Sequence, residues 1–145
     1  MLTPEIVIIT TLRVGVVYKI TAPELITTEQ PHYFVVVAIS DSDNYMLLST
    51  SQLQSKIKYL TKRGYDLNTL AYISPNKQNG LTKDSYFNCN DSFTITKRQL
   101  IEKVRQGNLL VAGKLSLDEY NKLVYSMNLS YVNDIPKFLL KYDAQ

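Results

Sequence analysis

The chain begins with two apolar, β-branched runs, residues 6–12 and 14–20, which predict two strands; Gly15 marks a bend or a close backbone approach between them. Residues 21–30 hold Pro23 and mostly polar positions and predict a loop. The densest hydrophobic signal follows. His-Tyr-Phe-Val-Val-Val-Ala-Ile after Pro31 and Tyr-Met-Leu-Leu-Ser-Thr-Ser-Gln from Tyr45 flank the turn-forming Asp-Ser-Asp-Asn at residues 41–44. This is a β-hairpin pattern. A four-residue loop would pair Ser40 with Tyr45, Val37 with Leu48 and Phe34 with Ser51. The far end of the hairpin would then gather His32, Ser49, Thr50 and Ser51.

Beyond the hairpin the period changes. Leu53, Ile57 and Leu60 share one helical face, so residues 53–63 predict a short helix stopped by Gly64. Residues 70–74 and 85–89 read as another strand pair, joined by a long loop with an Asn79-Gly80 turn signal. Thr96 to Gln99 and Ser116 to Glu119 have capping-box spacing. The first opens a helix with Leu100, Ile101 and Val104 on one face, ending at Gly107. The second opens a helix with Leu117, Tyr120, Leu123, Val124 and Met127 on its apolar side. Residues 134–142, with Pro136 in the first turn, predict a last short helix. Strands first and helices later define an α+β chain, β-rich over 1–92 and helical over 93–145. Many short strands point to a small, strongly bent antiparallel barrel with the helices packed against it.

A length of 145 residues fits one domain with a core that needs neither disulfide nor metal. Cys89 is the only cysteine and His32 the only histidine, which excludes an intramolecular disulfide and argues against a zinc site. Asp41 and Asp43 fit a turn rather than a metal site, and no cofactor motif occurs. The longest apolar run is too short to span a bilayer, and no basic segment with a small-residue cleavage site opens the chain, so the expected compartment is the cytoplasm. Net charge is +3, a mild excess that does not by itself identify a nucleic-acid partner.

The distribution of that charge says more. Lys56, Lys58, Lys62 and Arg63 follow the hairpin, interleaved with Tyr59 and Tyr65, and no acidic residue lies between Asn44 and Tyr65. Such a strip suits a phosphate backbone with stacked bases, and equally a solvated helix face. His32 is of the residue type suited to a general base or acid, although a histidine after a proline also serves as an ordinary strand-end residue. Thr50 and Ser51 are hydroxyl donors for phosphate oxygens, or a cap for the next helix.

Four segments together are similar to the PemK/MazF family, the ribosome-independent endoribonuclease toxins of toxin–antitoxin pairs. Gly15-Val-Val-Tyr18 resembles its Gly-start strand. Residues 31–40 resemble its Arg-Pro-x-x-Val-Val-Leu-Ser strand, and residues 45–52 its next strand, ending in Thr-Ser. Gly113-Lys-Leu-Ser116 with Glu119 resembles its Gly-x-Leu-Ser turn. The resemblance implies an SH3-like barrel, metal-independent cleavage of single-stranded RNA, a homodimer and a cognate antitoxin. It implies a catalytic role for the Thr50-Ser51 pair and places Gln30 at the RNA; the residues' own chemistry adds His32 as a catalytic candidate and Lys56, Lys58, Tyr59, Lys62 and Arg63 as RNA contacts. Two positions depart from the pattern. Gln30 stands where the family has its arginine, and Ile26-Thr-Thr-Glu29 replaces the Gly-x-Glu before it. Those departures keep a second expectation open, a non-catalytic barrel that binds RNA or protein.

Overall fold

The computed structural model describes residues 2–26, 29–51 and 53–145. Thr27 and Thr28 of the departing segment, and Gln52 at the end of the expected strand, lie outside the described residues. The chain begins with a helix, α1 (Pro4–Thr11), where a strand was expected. The overriding signal is local. Thr3 caps the helix, its hydroxyl accepting from the Ile6 N–H at 3.2 Å, Pro4 opens the first turn and Glu5 sits at the positive end of the helix. Ile8 is buried on the inner side, while Ile6 and Ile9 stay exposed.

The strands are β1 (Val16–Ile20), β2 (His32–Ile39), β3 (Asn44–Ser51), β4 (Leu70–Ile73), β5 (Ser85–Asn88), β6 (Phe93–Thr96) and β7 (Leu109–Lys114). Helix α2 (Leu53–Arg63) follows β3, α3 (Lys97–Arg105) follows β6, and α4 (Leu117–Leu129) follows β7. Among the described residues the strands form one antiparallel seven-stranded sheet, ordered β4-β5-β3-β2-β1-β7, with β6 also paired to β3. β3 is the hub. Its first half pairs with β6 and its last two residues with β5, while β2 runs along its other side. β6 and β7 both fall after residue 92, in the part expected to be helical; they are short edge strands with several exposed positions. The helix expected over 134–142 reduces to a single 3-10 turn at Lys137–Leu139.

The sheet does not close into a barrel, because β4 and β7 do not pair. Loop backbone occupies the seam instead. The Lys114 N–H donates to the Gln78 carbonyl at 3.0 Å. A Cβ on Gly80 would overlap the Ala112 carbonyl, and one on Gly113 would overlap the backbone of Gln78 and Asn79, so both positions require glycine for the approach. Buried Asn79 fastens the loop. Its Nδ2 donates to Ser74 O at 3.0 Å and to Glu119 Oε2 at 2.8 Å, and its Oδ1 accepts from the N–H groups of Asn76 and Leu81. Glu119 Oε1 meanwhile completes the α4 capping box by accepting from the Ser116 N–H at 2.8 Å. The Gly113 to Glu119 motif is thus a structural clasp between loop, strand and helix.

The hairpin register differs from the expected one. Ile39 pairs with Tyr45, because the turn has three residues with Asp43 at φ 57° and Ser40 paired to Asn44. A second shift falls between Val36 and Ala38, so Val35 pairs with Leu48 and Phe34 with Ser49. Val37 is the extra residue, a β-bulge that loses its place in the ladder. Its carbonyl, fully buried, accepts from the Tyr120 hydroxyl of α4 at 2.7 Å.

Both faces of the sheet are covered, which explains the unbroken apolar run in β2. Val35, Val37, Leu48 and Phe87 face α4, packing with Tyr120, Leu123 and Met127. Val36, Phe34, Tyr18 and Leu47 face the other way, against Ile8 of α1 and Leu100 of α3. Burial pushes the thiol of Cys89 up to about 12, and burial, partly offset by the hydrogen bond to Thr11, pushes the phenol of Tyr18 up to about 12.

Two outcomes follow. Tyr120→Phe removes the only hydroxyl given to Val37 O and should cost about 1–3 kcal/mol, the usual penalty for an orphaned buried acceptor. Urea unfolding with an unchanged slope reads this, and an unaltered midpoint would show that the bulge does not rely on Tyr120. Cys89 should resist thiol reagents until the protein unfolds. Because its folded pKa lies above the unfolded 9.0, its contribution to stability is complete below pH 9 and is lost as pH rises toward 12. Labelling of the native protein at pH 8 at the rate of a free thiol would contradict this.

Candidate nucleic-acid interface

The corrected register assembles the far end of the hairpin. Continuing the Phe34–Ser49 pairing places Tyr33 across from Thr50 and His32 across from Ser51. The Tyr33 N–H reaches the Thr50 hydroxyl oxygen at 3.3 Å. His32, Ser49, Thr50 and Ser51 line one cleft of about 320 Å³ together with Gln30 and Lys56. Asn88, Asp91 and Phe93, from the end of β5, the β5–β6 turn and the start of β6, form its other wall.

His32 is half-buried, pairs with Ile20 of β1 on its other side, and holds Nδ1 3.0 Å from the Gln30 carbonyl oxygen. A carbonyl only accepts, so Nδ1 carries the proton in this contact. The neutral ring then presents Nε2 as an acceptor, the form a general base requires. Thr50 Oγ1 accepts from Tyr33, which leaves its own proton to donate. Ser49 is buried and directs its hydroxyl to the Thr50 carbonyl at 2.9 Å, a bracing contact.

Only part of the expected basic strip reaches this cleft. Lys56, Tyr59 and Arg63 follow an i, i+3, i+7 spacing along α2. The Lys56 ammonium lies 4.9 Å from the Tyr59 ring centre and the Arg63 guanidinium 4.6 Å from it. The ring therefore spaces two cations along one side of the helix, each contact worth roughly 0.5–1 kcal/mol where exposed. Lys58 and Lys62 are exposed, and at roughly 100° per residue they project away from the Leu53 and Leu60 side of the helix. Of the strip, Lys56 alone lines the cleft.

Asn88, Asp91 and Phe93 escape the sequence reading. Their signal is the Asn88-Cys-Asn-Asp91 run, a turn composition directly ahead of the alternating Phe-Thr-Ile-Thr of β6. Asn88 Nδ2 donates to Asp91 Oδ2 at 2.9 Å, which fixes a carboxylate at the cleft wall. Asp91 and Lys56 bring one carboxylate and one ammonium to the lining of the same cleft. Among the described residues, no three His, Cys, Asp or Glu side chains gather as metal ligands, and no helix is long and apolar enough to cross a membrane.

A scan of protein-family models finds no match to this chain. A search of curated protein sequences likewise finds none.

The division of α2 makes a direct test. If its inner side tracks phosphates, Lys56→Ala and Arg63→Ala should weaken single-stranded RNA binding across sequences, each lowering the log–log salt slope by about 0.7. Lys58→Ala and Lys62→Ala should change neither. Equal loss from both pairs would mean that the helix attracts RNA by general charge, and no loss from either that it is a solvated face.

Proposed function

We propose that this protein is an RNA-binding, toxin-like protein of PemK/MazF type that cuts single-stranded RNA through its own 2′-hydroxyl. The observation that carries the reading is the convergence of His32, Thr50, Ser51 and Lys56 in one cleft at the end of the hairpin. In this reading the open seven-stranded sheet is a divergent form of the SH3-like barrel. The chain acts in the cytoplasm as a homodimer and is restrained by a cognate antitoxin.

Cleavage needs a base for the 2′ proton, an acid for the leaving 5′ oxygen and donors for the phosphorane oxygens. His32 Nε2 takes the 2′ proton as the 2′ oxygen attacks phosphorus. The P–O5′ bond breaks, leaving a 2′,3′-cyclic phosphate. Protonated His32, or water, then gives a proton to the leaving 5′ oxygen. Thr50 and Ser51 donate to non-bridging oxygens, and Lys56 supplies the charge that Gln30 lacks.

A second reading has its own observation. Gln30 and Asp91 both line the cleft, one a neutral amide and the other a carboxylate, where a cleavage site calls for cations. On that reading the protein binds RNA, or a protein partner, without cutting.

Incubation of the purified protein with single-stranded RNA in EDTA separates the two. The nuclease reading expects discrete cuts ending in a cyclic phosphate. His32→Ala should lose about 10²–10⁴-fold in rate, with Thr50→Ala losing less. If the wild type cuts nothing while Gln30→Arg gains cleavage, the binding reading is correct. If neither variant nor wild type binds RNA at any salt, both RNA readings fail.

A further inference from the structure

A second cleft of about 430 Å³ lies between the 21–26 segment, β6 and α3, within the size range of roughly 300–1,000 Å³ that holds small molecules. Its walls combine apolar surfaces, Pro23, Leu25 and Ile95, with the carboxamides of Gln99, Gln106 and Asn108. On α3, Gln99, Glu102, Lys103 and Gln106 recur at i, i+3, i+4 and i+7, so one stripe of the helix faces the cleft. Lys103 is mostly buried. It is fixed by Glu24 Oε1 at 2.5 Å and by the Thr21 carbonyl at 3.1 Å. The Lys103 contact holds the Glu24 carboxyl below its ordinary range, so that carboxylate stays ionised and accepting.

The chemistry excludes one ligand class. The cation that lines the cleft, Lys103, is already paired with Glu24, and Glu102 with Arg105, so among the described residues a phosphate finds no open cation there. Apolar walls with carboxamide and carboxylate groups instead suit an uncharged group edged with amino hydrogens. Carboxamides pair with adenine on its amino edge, and carboxylates accept from exocyclic amino groups.

The position adds a second argument. Leu25 lines this cleft and Ile26 the candidate RNA cleft, while Thr94 and Ile95 line this one and Phe93 the other. The two clefts therefore meet across consecutive residues on two segments. We propose that this second cleft is a nucleobase pocket that takes an amino-bearing base, adenine before uracil, next to the nucleotide held at His32. The inference rests on the RNA reading only for the source of the base.

Amide chemical-shift mapping tests it, with adenosine, uridine and inorganic phosphate as separate probes. Adenosine should shift the amides of Leu25, Thr94, Gln106 and Asn108, uridine should shift them less, and phosphate not at all. Gln106→Ala, at an exposed helix end, should weaken adenosine by about three- to tenfold, the worth of one hydrogen bond. Lys103→Met should do the same if it stays folded. An oligouridine carrying one adenine should compete with adenosine if the base comes from RNA. Shifts from phosphate, none from adenosine, or full affinity in Gln106→Ala would overturn the pocket. RNA binding without adenosine shifts overturns the pocket and leaves the RNA reading standing. Adenosine shifts without RNA binding overturn the RNA reading and leave a nucleoside site.

Discussion

The hydrogen bond from the Tyr120 hydroxyl to the Val37 carbonyl joins the sheet to the helix that covers it, at the one place where the central ladder is broken. A bulge in a strand buried on both faces would leave a polar group in the core with no water to satisfy it. Tyr120 removes that penalty, and the surrounding side chains follow. Val37 and Ala38 both turn to the α4 side, while Val36 stays on the side of α1 and α3. The bulge sets the register beyond it, and the register brings Thr50 beside Tyr33 and places His32 across from Ser51. A contact in the interior thereby determines which side chains meet at the surface cleft.

The clasp around Asn79 plays the corresponding part at the open seam. Loop residues 76–80 lie so close to β7 that two glycines are needed, and the Glu119 carboxylate serves the loop and the α4 cap together. This arrangement explains why a chain with barrel-like patterning leaves its sheet open. One backbone bond and a satisfied amide network do the joining that a seventh ladder would do in a closed barrel. It also separates fold from activity. The Gly113 to Glu119 segment, one of the four carrying the family resemblance, has a complete structural account that involves no RNA.

What could be seen in the chain divides along physical lines. Both capping boxes, the extent of α2 and the β4–β5 pair are set by local side-chain chemistry and were legible. α1 was hidden because Ile-Val-Ile-Ile has strand propensity, which a threonine cap and Pro4 override. β6 and β7 were hidden because short edge strands lack a long alternating pattern. The gathering of His32 with Thr50 and Ser51 was anticipated from a register that is wrong by two residues at that end. A two-residue slip preserves the face each side chain occupies, whereas a one-residue slip reverses it. Asp91 and the second cleft were out of reach, since they depend on how the β5–β6 turn and the 21–26 segment pack against other elements.

On the proposed reading, the two clefts divide the work of holding one strand. Phosphates need cations, and these lie along the inner side of α2, where Tyr59 spaces Lys56 from Arg63. Bases need apolar walls and hydrogen-bonding edges, which the α3 cleft supplies, with its lysine already paired to Glu24. The cleft at the end of the hairpin carries both signs of charge, the ammonium of Lys56 and the carboxylate of Asp91. His32 shares that cleft, and its Nδ1 contact to the Gln30 carbonyl orients the ring. Gln30 then holds the ring through its backbone, which any residue at that position could do. The missing arginine side chain removes a fixed charge from the site, while the imidazole keeps its orientation.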